Sequence, residues 1–391
     1  MIALDLSRLL SRSGSATPSG IDRVEIAYAQ HLIAGTVTHG FAAHNPLGGI
    51  GLLPTEPVHA FVAKLAAAWR GGATEEDRRR IALLTQRLRL AALAGGPALR
   101  RAFRDAEERA VYLLVSHQNL DRPQPIARLK AIAGTRFVAF IHDLIPLDFP
   151  ELTRPGQTQR HRRRIATVAR LADAVIVNST ATGDALRPHL RNRKIPIAVA
   201  PLGIDPSDDN TPSRFDAPHF VCIGTVEARK NHRLLLDVWE HLRTELGTRT
   251  PRLHLIGQRG FGREPLVRHL GGLHDVVTEH RGLPDTVMVT LLRGARALLL
   301  PSFAEGFGLP VAEALALGVP VLCSNLAAIR ESGGGVPDYL DPHDPAAWRR
   351  AILDYTADSP RRQAQFARLA DWRPPRWADH FDIVDQLVAA L

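Results

Sequence analysis

The chain has 391 residues, of which 45% are hydrophobic and 23% charged, as in an ordinary globular protein. This length exceeds the size at which single hydrophobic cores usually stop growing, so two domains are expected. No apolar run approaches the roughly 20 residues that span a bilayer, and the opening MIALDLSRLLSRSG lacks the pattern of a signal peptide.

The formal net charge of +9 raises the question of an anionic partner. Basic residues concentrate in EEDRRRIALLTQRLRL (75–90) and RHRRR (160–164). The first segment has helical periodicity, so it is interpreted either as a solvated helix face or as a helix lying on an anionic membrane. Nucleic acid is not expected as a partner, because aromatic residues make up only 6% and no RNA-binding signature or zinc finger is present.

The two cysteines, Cys222 and Cys323, lie far apart in apolar runs and form no CxxC pair. Buried free thiols in a reducing compartment are the simplest interpretation. This predicts a cytoplasmic location, with peripheral contact at the inner face of the membrane if the basic helix binds there.

Short apolar runs alternate with helical patterns along the first half of the chain. Five of these runs are predicted strands: 2–7, 110–116, 136–142, 173–179 and 195–201. Continuous apolar strands between helices predict a parallel sheet covered on both faces. A helix is predicted from Ile21.

A change of composition at 203–219, rich in Asp, Pro and Ser, predicts a linker, after which the alternation resumes. Predicted strands follow at 219–225, 251–257, 275–282, 295–302 and 319–325, and the chain ends on an amphipathic helix. The predicted domains are an N-terminal Rossmann-like domain (1–202) on the acceptor side, a linker (203–218), a C-terminal Rossmann-like domain (219–370) on the donor side, and a terminal helix (371–391) packing on the first domain. Two such domains would face each other across a cleft and bind ligands beyond the carboxyl ends of their strands.

The loop of the second domain SFAEGFGLPVAEALALGVPVLCSN (302–325) places two glutamates, Glu305 and Glu313, on either side of a glycine-rich turn. Pro310 is predicted at the first position of a helix, with Glu313 in its first turn, where the helix dipole alone would favour a carboxylate. The glycines would let backbone N–H groups approach a phosphate. Glu305 has no such local explanation, and hydrogen bonds from sugar or ribose hydroxyls would account for it.

Other candidate residues follow predicted strands. Gly224 and Thr225 form a turn before the adjacent Arg229 and Lys230, which either clamp a diphosphate or belong to an ordinary charged loop. His142 ends a strand of the first domain and is either structural or functional.

Gly20 lies in the loop SGSATPSGIDRVE and is a second candidate for phosphate or acceptor contact. The dinucleotide fingerprint GxGxxG is absent from that loop, and the chain contains no Asp-x-Asp and no His/Cys/Glu cluster with metal-ligand spacing. No cofactor or metal is therefore expected.

The combination of EARKN (227–231) with the two glutamates eight positions apart resembles the retaining nucleotide-sugar glycosyltransferases of family 4, which have the two-domain GT-B fold. PLGID (201–205), RGLPD (281–285) and ALALGVPVLCSN are similar to further segments of that family. HDLIP (142–146) and EARKNH resemble bacterial polysaccharide and O-antigen transferases, many of which use GDP-mannose. Residue Ala228 stands where many relatives have proline, and 70–108 matches no segment of the family that can be placed, which leaves the acceptor open.

The resemblance implies a role for each matching residue. Arg229 and Lys230 would hold the donor diphosphate, Glu305 the hydroxyls of the transferred sugar, and Glu313 the ribose. The N–H groups around Phe307, Gly308 and Leu309 would contact phosphate, and Arg281 and Leu283 would contact the base. His142 would contact the donor sugar, and Gly20 would contact phosphate or acceptor. Gly224 and Thr225 would contact the donor.

The expected activity is retaining, metal-independent transfer of a hexose, best mannose from GDP-mannose, to a saccharide or lipid-linked saccharide acceptor. A nucleotide-sugar 2-epimerase of the same fold is one alternative. It differs from a transferase in that it would need no acceptor. A basic module that binds nucleic acid or a membrane surface is an alternative of another class.

Overall fold

The computed structural model describes residues 1–107, 109–190, 193–205, 217–260 and 269–391. The chain divides into two compact units. The first comprises Met1–Leu144, Gln159–Pro201 and Trp377–Leu391, and the second comprises Ile145–Thr158 and Leu202–Arg376. Residues 145–158 thus group with the second unit, although they fall within the predicted first domain. Of the predicted linker, residues 206–216 lie outside the described part of the chain.

The described part of the first unit contains one sheet in the order β3-β2-β1-β4-β5-β6-β7. The strands are β1 (Ile2–Asp5), β2 (His39–His44), β3 (Ile50–Leu53), β4 (Val111–Leu114), β5 (Arg136–Ile141), β6 (Ala174–Val177) and β7 (Ile197–Val199). Up to β7 the helices are α1 (Ser7–Arg12), α2 (Gly20–Ala34), α3 (Thr55–Gly71), α4 (Glu75–Ala94), α5 (Gly96–Arg104), α6 (Pro123–Lys130), α7 (Ile145–Asp148), α8 (Gln157–Leu171) and α9 (Thr180–Leu186).

The described part of the second unit contains a sheet in the order β10-β9-β8-β11-β12-β13, in which neighbouring strands are parallel. Its strands are β8 (His219–Ile223), β9 (Arg252–Ile256), β10 (Val277–His280), β11 (Leu298–Leu300), β12 (Val321–Ser324) and β13 (Asp338–Leu340). The helices are α10 (His232–Leu246), α11 (Asp285–Arg293), α12 (Leu309–Ala316), α13 (Ala327–Gly333), α14 (Pro345–Thr356), α15 (Pro360–Ala370) and, within the first unit, α16 (Trp377–Ala389).

Apolar sequence explains why both sheets are buried on two faces. All four residues of β4, β6 and β12 are buried, as expected of strands covered by helices on both sides. The core of the second unit includes Phe220, Trp239 and Trp348, each fully buried. The predicted α/β architecture of two Rossmann-like sheets is therefore confirmed.

Three strands of the described chain, β2, β3 and β13, were not predicted from the sequence. Strand β3 pairs antiparallel with β2, so the first sheet ends on an antiparallel edge. The sequence of β2, HGFAAH, contains no β-branched residue and has a histidine at each end, so the pattern did not indicate a strand. Strand β13 has only three residues, DYL, and is recruited by pairing with β12.

The C-terminal helix α16 belongs to the first unit through its buried face. His380 contacts the Tyr28 hydroxyl through Nε2 at 2.8 Å and the carbonyl oxygens of Ala200 and Pro201 through Nδ1 at 3.1 and 3.0 Å. Phe381 packs edge-on against Tyr28 with ring centroids 5.1 Å apart. The helix is therefore anchored by a buried polar network as well as by apolar packing.

Acid is expected to destabilise this anchor. Burial lowers the pKa of His380 to about 4 from an ordinary value of 6.5, although the carbonyls of Pro201 and Ala200 raise it. Below pH 6.5 the unfolded chain binds a proton that the folded chain excludes. The contribution of His380 to the free energy of unfolding is therefore complete above pH 6.5. It is lost progressively toward pH 4, by up to about 3 kcal/mol.

Urea unfolding of the His380→Asn variant and the parent at pH 7.5 and 4.5 measures this effect. The variant should lose less stability on acidification than the parent. An exposed histidine of the same unit, His189, supplies the control His189→Asn, which should follow the parent. Equal losses in all three proteins would contradict the assignment.

Candidate active site

The turn after β8 depends on a glycine. Gly224 has φ +150°, and a Cβ built on it would lie 3.1 Å from Cε and 3.4 Å from Nζ of Lys230. Its N–H donates to the carbonyl of Ile256 at 2.9 Å, which keeps it beside the end of β9. The missing side chain therefore provides the space in which the Lys230 ammonium lies.

A 3₁₀ turn over Ala228–Lys230 carries the two candidate cations, and Asn231 follows in the left-handed conformation with φ 52°. Asparagine tolerates this region better than most residues, and its Nδ2 donates to the carbonyl of Pro342 at 2.9 Å. The N–H of Phe303 donates to the carbonyl of Arg229 at 2.8 Å. This last bond ties the turn after β8 to the loop after β11.

Glu305 is the centre of a buried ionic network. Its Oε1 accepts hydrogen bonds from Lys230 Nζ and from Ser302 Oγ, the latter at 2.6 Å, and its Oε2 accepts from Arg229 Nη1 at 3.2 Å. The side chains of Lys230 and Glu305 are 7% and 8% exposed, so the pair is shielded from solvent. Buried charges require this degree of pairing.

The network keeps the carboxylate ionised. Burial alone would raise the pKa of Glu305, but the charges of Lys230 and Arg229 and the hydrogen bonds from Lys230 and Ser302 outweigh it and lower the pKa to about 2. Burial also lowers the pKa of Lys230, against the opposing pull of Glu305. The carboxylate is thus a permanent acceptor at neutral pH.

Arg229 is shared between two carboxylates. Its Nε lies 2.6 Å from Oε1 of Glu227, and its Nη1 donates to Glu305 and to the carbonyl of Ala304, each at 3.2 Å. The four side chains Arg229, Lys230, Glu227 and Glu305 together carry no net formal charge. An anion bound here therefore needs further donors besides the two cations.

Helix α12 supplies such donors but starts differently from the prediction. Gly308 is its N-cap, with φ +89°, and Leu309 is the first helical residue, so Pro310 is second and not first. Glu313 occupies the fifth position, beyond the first turn, which contains no acidic residue. The helix dipole therefore does not account for Glu313, and the explanation by dipole alone was wrong.

The free N–H groups at the start of α12 lie in the loop that also carries Glu305. Phe307 is 4% exposed, and its burial fixes the turn before Gly308. A Cβ at Gly308 would contact Ile329 Cγ1 and Ser332 Oγ at 3.3 Å each, so glycine is needed for space as well as for φ. The first N–H groups of a helix have no partner within the helix and favour anions.

Arg281 and Leu283 follow β10 at the same carboxyl edge of the second sheet, two strands from β8. Gly282 between them has φ +74°, which turns the chain toward α11. Leu283 packs in part against the core, whereas Arg281 is exposed. These two residues share the edge with the Glu305 network, and their implied contact with a base stays a prediction.

The first-unit candidate His142 is 5% exposed and lies just after β5. Its Nε2 lies 2.8 Å from the carbonyl of Val115, so Nε2 carries the hydrogen and donates. Its backbone N–H donates to Nε2 of His117 at 3.1 Å, and its ring stacks on Phe140 at 4.3 Å. Burial lowers the pKa of His142 to about 4, so the imidazole is neutral and Nδ1 is its acceptor atom.

Gly20 is the first residue of α2, and the loop around it is held by helix capping. Ser19 and Asp22 form a capping box, and Arg8 donates to Asp22 Oδ1 at 2.6 Å and to Ser19 Oγ at 2.9 Å. Local structure therefore explains this segment without a ligand, and a phosphate or acceptor contact of Gly20 stays a prediction.

Sequence reasoning missed Ser302 and Glu227, which hold the network in place. Ser302 bonds the carboxylate of Glu305, and Glu227 fixes the guanidinium of Arg229. The available signal was position, because Ser302 precedes Glu305 by three residues and Glu227 precedes Arg229 by two. Without the fold, nothing distinguished these two residues from ordinary polar residues of a loop.

Three of the five arginines in helix α4 pair with glutamates of its first turn. Arg78 and Arg79 each lie 3.5 Å from Glu75, and Arg80 pairs with Glu76. Among the described residues, no helix has both the length and the apolar character needed to cross a membrane. Contact of α4 with an anionic membrane stays a prediction.

Two family models match the sequence. Residues 58–208 match the model described as Glycosyltransferase Family 4, and residues 217–358 match the one described as Glycosyl transferases group 1. The chain is 37% identical to the O-antigen chain mannosyltransferase B of Escherichia coli over 158 residues, which cover 37% of this chain and 39% of that protein. It is 26% identical to the serotype-specific mannosyltransferase WbdA of Escherichia coli over 261 residues, 60% of this chain and 32% of WbdA.

The fold also has solved counterparts. The crystal structure of Anabaena Alr3699/HepE in complex with UDP-glucose superimposes with a TM-score of 0.65 at 16% identity, covering 99% of each chain. This chain spans only about a third to two fifths of the two mannosyltransferases above, so its likeness to them concerns parts of those proteins. The two matched segments are therefore glycosyltransferase domains, one of family 4 and one of group 1, and the chain has the GT-B fold.

Proposed function

We propose that the protein is a retaining hexosyltransferase that moves mannose from GDP-mannose to a saccharide or lipid-linked saccharide acceptor in polysaccharide biosynthesis, without a metal ion. The observation that carries the proposal is the buried network in which Glu305 joins Arg229 and Lys230 at the carboxyl edge of the second sheet. The likeness to two mannosyltransferases supports mannose as the sugar.

The donor diphosphate would lie between the cations and the start of α12. Because the four charged side chains balance, the N–H groups of Phe307, Gly308 and Leu309 supply the additional attraction for phosphate. The Lys230 ammonium then donates a hydrogen bond to a phosphate oxygen, and its hydrogen bond to Glu305 weakens. The released Glu305 oxygen accepts hydrogen bonds from hydroxyls of the sugar, and Glu313 takes the ribose diol.

The reaction in this proposal is a substitution at the anomeric carbon. The bond from C1 to the diphosphate oxygen breaks as the acceptor oxygen bonds to C1 on the same face, and the acceptor proton passes to the leaving phosphate. Arg229 and Lys230 stabilise the charge that develops on that phosphate. Catalysis then comes from positioning and leaving-group stabilisation, with no enzyme nucleophile.

Thermal unfolding with GDP, UDP, dTDP and ADP tests the donor site, each nucleotide being added with EDTA and, separately, with Mg²⁺. A nucleotide at a hundred times its dissociation constant should stabilise the folded state by about 2.7 kcal/mol. We expect GDP to raise the unfolding temperature equally with EDTA and with Mg²⁺. A rise in the unfolding temperature with UDP alone would make a UDP-sugar the donor. No rise with any of the four nucleotides would contradict the donor site.

Product analysis separates transfer from epimerisation. GDP-mannose and, for comparison, a UDP-sugar are incubated with the protein without acceptor, and the sugars are identified afterwards. We expect no change of configuration at C2. Conversion of the UDP-sugar without acceptor would establish the epimerase alternative.

A further inference from the structure

Two adjoining cavities lie at the carboxyl edge of the first sheet, among the described residues of the first unit. One, of about 470 Å³, lies between the loop after α1 and helices α3 and α4. The other, of about 360 Å³, lies between α4, the β2–β3 turn and the segment after β4. Both volumes fall in the range of about 300–1,000 Å³ that is usual for small-molecule sites.

The cavities adjoin, because Ser11 and Arg89 line both. Arg89 Nη2 donates to the carbonyl of Leu10 at 2.7 Å, which holds the guanidinium at the boundary. We call the combined space the α4 groove, with the larger cavity as its first compartment and the smaller as its second. An elongated ligand can contact both compartments on either side of Arg89.

The walls of the groove suit a ligand rich in hydroxyl groups. The first compartment combines Gln86 with the ring of Trp69, whose indole N–H donates to the carbonyl of Ser15 at 2.9 Å, and the second is lined by Gln118 and Asn119. Hydroxyl and amide groups both donate and accept hydrogen bonds, as sugar hydroxyls do. The lining residues of the two cavities, all within the described part of the chain, include arginines but no carboxylate.

The second compartment contains an oriented histidine. His44 ends β2, and its Nε2 lies 3.2 Å from the Tyr112 hydroxyl, which donates to the buried carboxylate of Asp5 at 2.7 Å. Because the Tyr112 proton points to Asp5, its oxygen accepts from His44 Nε2–H. The nitrogen left to a ligand is Nδ1, an acceptor for one hydroxyl.

This chain of bonds lies where parallel sheets bind ligands. Asp5 ends β1, His44 ends β2, and Gln118 follows β4, so the three adjacent strands present polar groups at one edge. Gln118 is itself fixed, since its Nε2 donates to the carbonyl of Ser7 at 3.2 Å and its Oε1 accepts from Ser11 Oγ at 3.0 Å.

We propose that the α4 groove binds the acceptor as an oligosaccharide of at least two sugar residues, one in each compartment. His44 and Gln118 fix hydroxyls in the second compartment, and Arg89 contacts the linkage between the two sugars. Helix α4 then determines which saccharide is accepted. The proposal rests on the proposed glycosyltransferase function and specifies where its acceptor lies.

Calorimetric titration tests the groove with three probes: methyl α-mannoside, α-mannobiose and α-mannotriose, each with and without GDP. The two oligomers should bind more tightly than the monosaccharide, because only they fill both compartments. Ala82 lines the first compartment and is exposed, so Ala82→Trp obstructs it without entering the core. This variant should weaken α-mannotriose binding at least tenfold.

The adjacent Leu83, 67% exposed and outside both cavities, provides the matched control Leu83→Trp, which should bind as the parent does. Arg122→Ala, in the second compartment, should weaken all three probes by about tenfold through loss of a charged donor. GDP binding, measured in the same titrations, should be unchanged in every variant.

The outcomes distinguish this proposal from the proposed function. GDP binding without binding of any of the three saccharides overturns the groove and leaves the donor site intact. Saccharide binding that Ala82→Trp and Arg122→Ala leave unchanged also overturns it. Saccharide binding that these variants weaken, without GDP binding, supports the groove and contradicts the donor assignment.

Discussion

Replacing Lys230 with methionine is expected to lower turnover at least a hundredfold, the loss found when one donor to a developing oxyanion is removed. It should also lower the free energy of unfolding by about 3–5 kcal/mol, because the change leaves the carboxylate of Glu305 buried without its main partner. The two side chains are almost completely shielded from solvent, so water cannot replace the lost ammonium.

A second variant separates catalysis from stability. In Lys230→Met/Glu305→Leu both charges are removed, so most of the lost unfolding free energy should return while turnover stays at or below the level of the single variant. Chemical unfolding and initial rates with GDP-mannose are measured on the same preparations. Turnover within tenfold of the parent in the single variant would remove Lys230 from the reaction.

The sequence predicted that Arg229, Lys230 and Glu305 would lie at the same edge of the second sheet, because loops that follow parallel strands lie at one edge. Arg229, Lys230 and Glu305 come from two strands, β8 and β11, that are neighbours in the sheet though 75 residues separate Lys230 from Glu305. Continuous apolar runs identified these strands, and the carboxyl-end rule placed the loops together.

The sequence did not determine how these residues pair, since hydrogen bonds depend on distances of a few tenths of an ångström. Arg229 was expected to face a diphosphate, yet it is held by Glu227 and Glu305 in the structure. The start of α12 was misplaced by one residue because Gly308, in the left-handed conformation, serves as N-cap and moves Pro310 to the second position.

Burial was the other property that spacing could not predict. His142 was expected at the end of a strand, where it does lie, but its ring is enclosed and bonded to Val115. The expectation that 70–108 matches nothing in the family was wrong, because this stretch lies within the residues 58–208 that match the family 4 model. The antiparallel strand β3, beside which α4 packs, was not predicted from the sequence. The α4 groove therefore became visible only once these elements were placed.

The second large effect is expected at a glycine that carries no chemistry. A Cβ built on Gly257 would lie 1.9 Å from the carbonyl oxygen of Gly224 and 2.6 Å from its carbonyl carbon. Both are backbone atoms of Gly224, just after β8, so no side-chain rotation relieves the overlap. Gly257→Ala must therefore separate the two strand ends and displace Gly224 from its place beside Lys230.

We expect Gly257→Ala to lower the free energy of unfolding by about 3 kcal/mol, at the upper end of the usual cost of overpacking. Nucleotide binding should weaken at least tenfold, because the backbone that gives Lys230 its space has moved. Urea unfolding and titration with GDP measure the two effects.

Gly271→Ala is the matched control, since a Cβ at Gly271 has nothing within 4 Å. Its stability and GDP binding should match those of the parent within about 0.5 kcal/mol. If Gly257→Ala behaved like this control, the strand ends would be free to part without cost, and the close approach of Gly224 to Gly257 would have no part in forming the donor site. If it lost both stability and GDP binding, the positions of Lys230 and Glu305 would depend on the close packing of the backbone at Gly224 and Gly257.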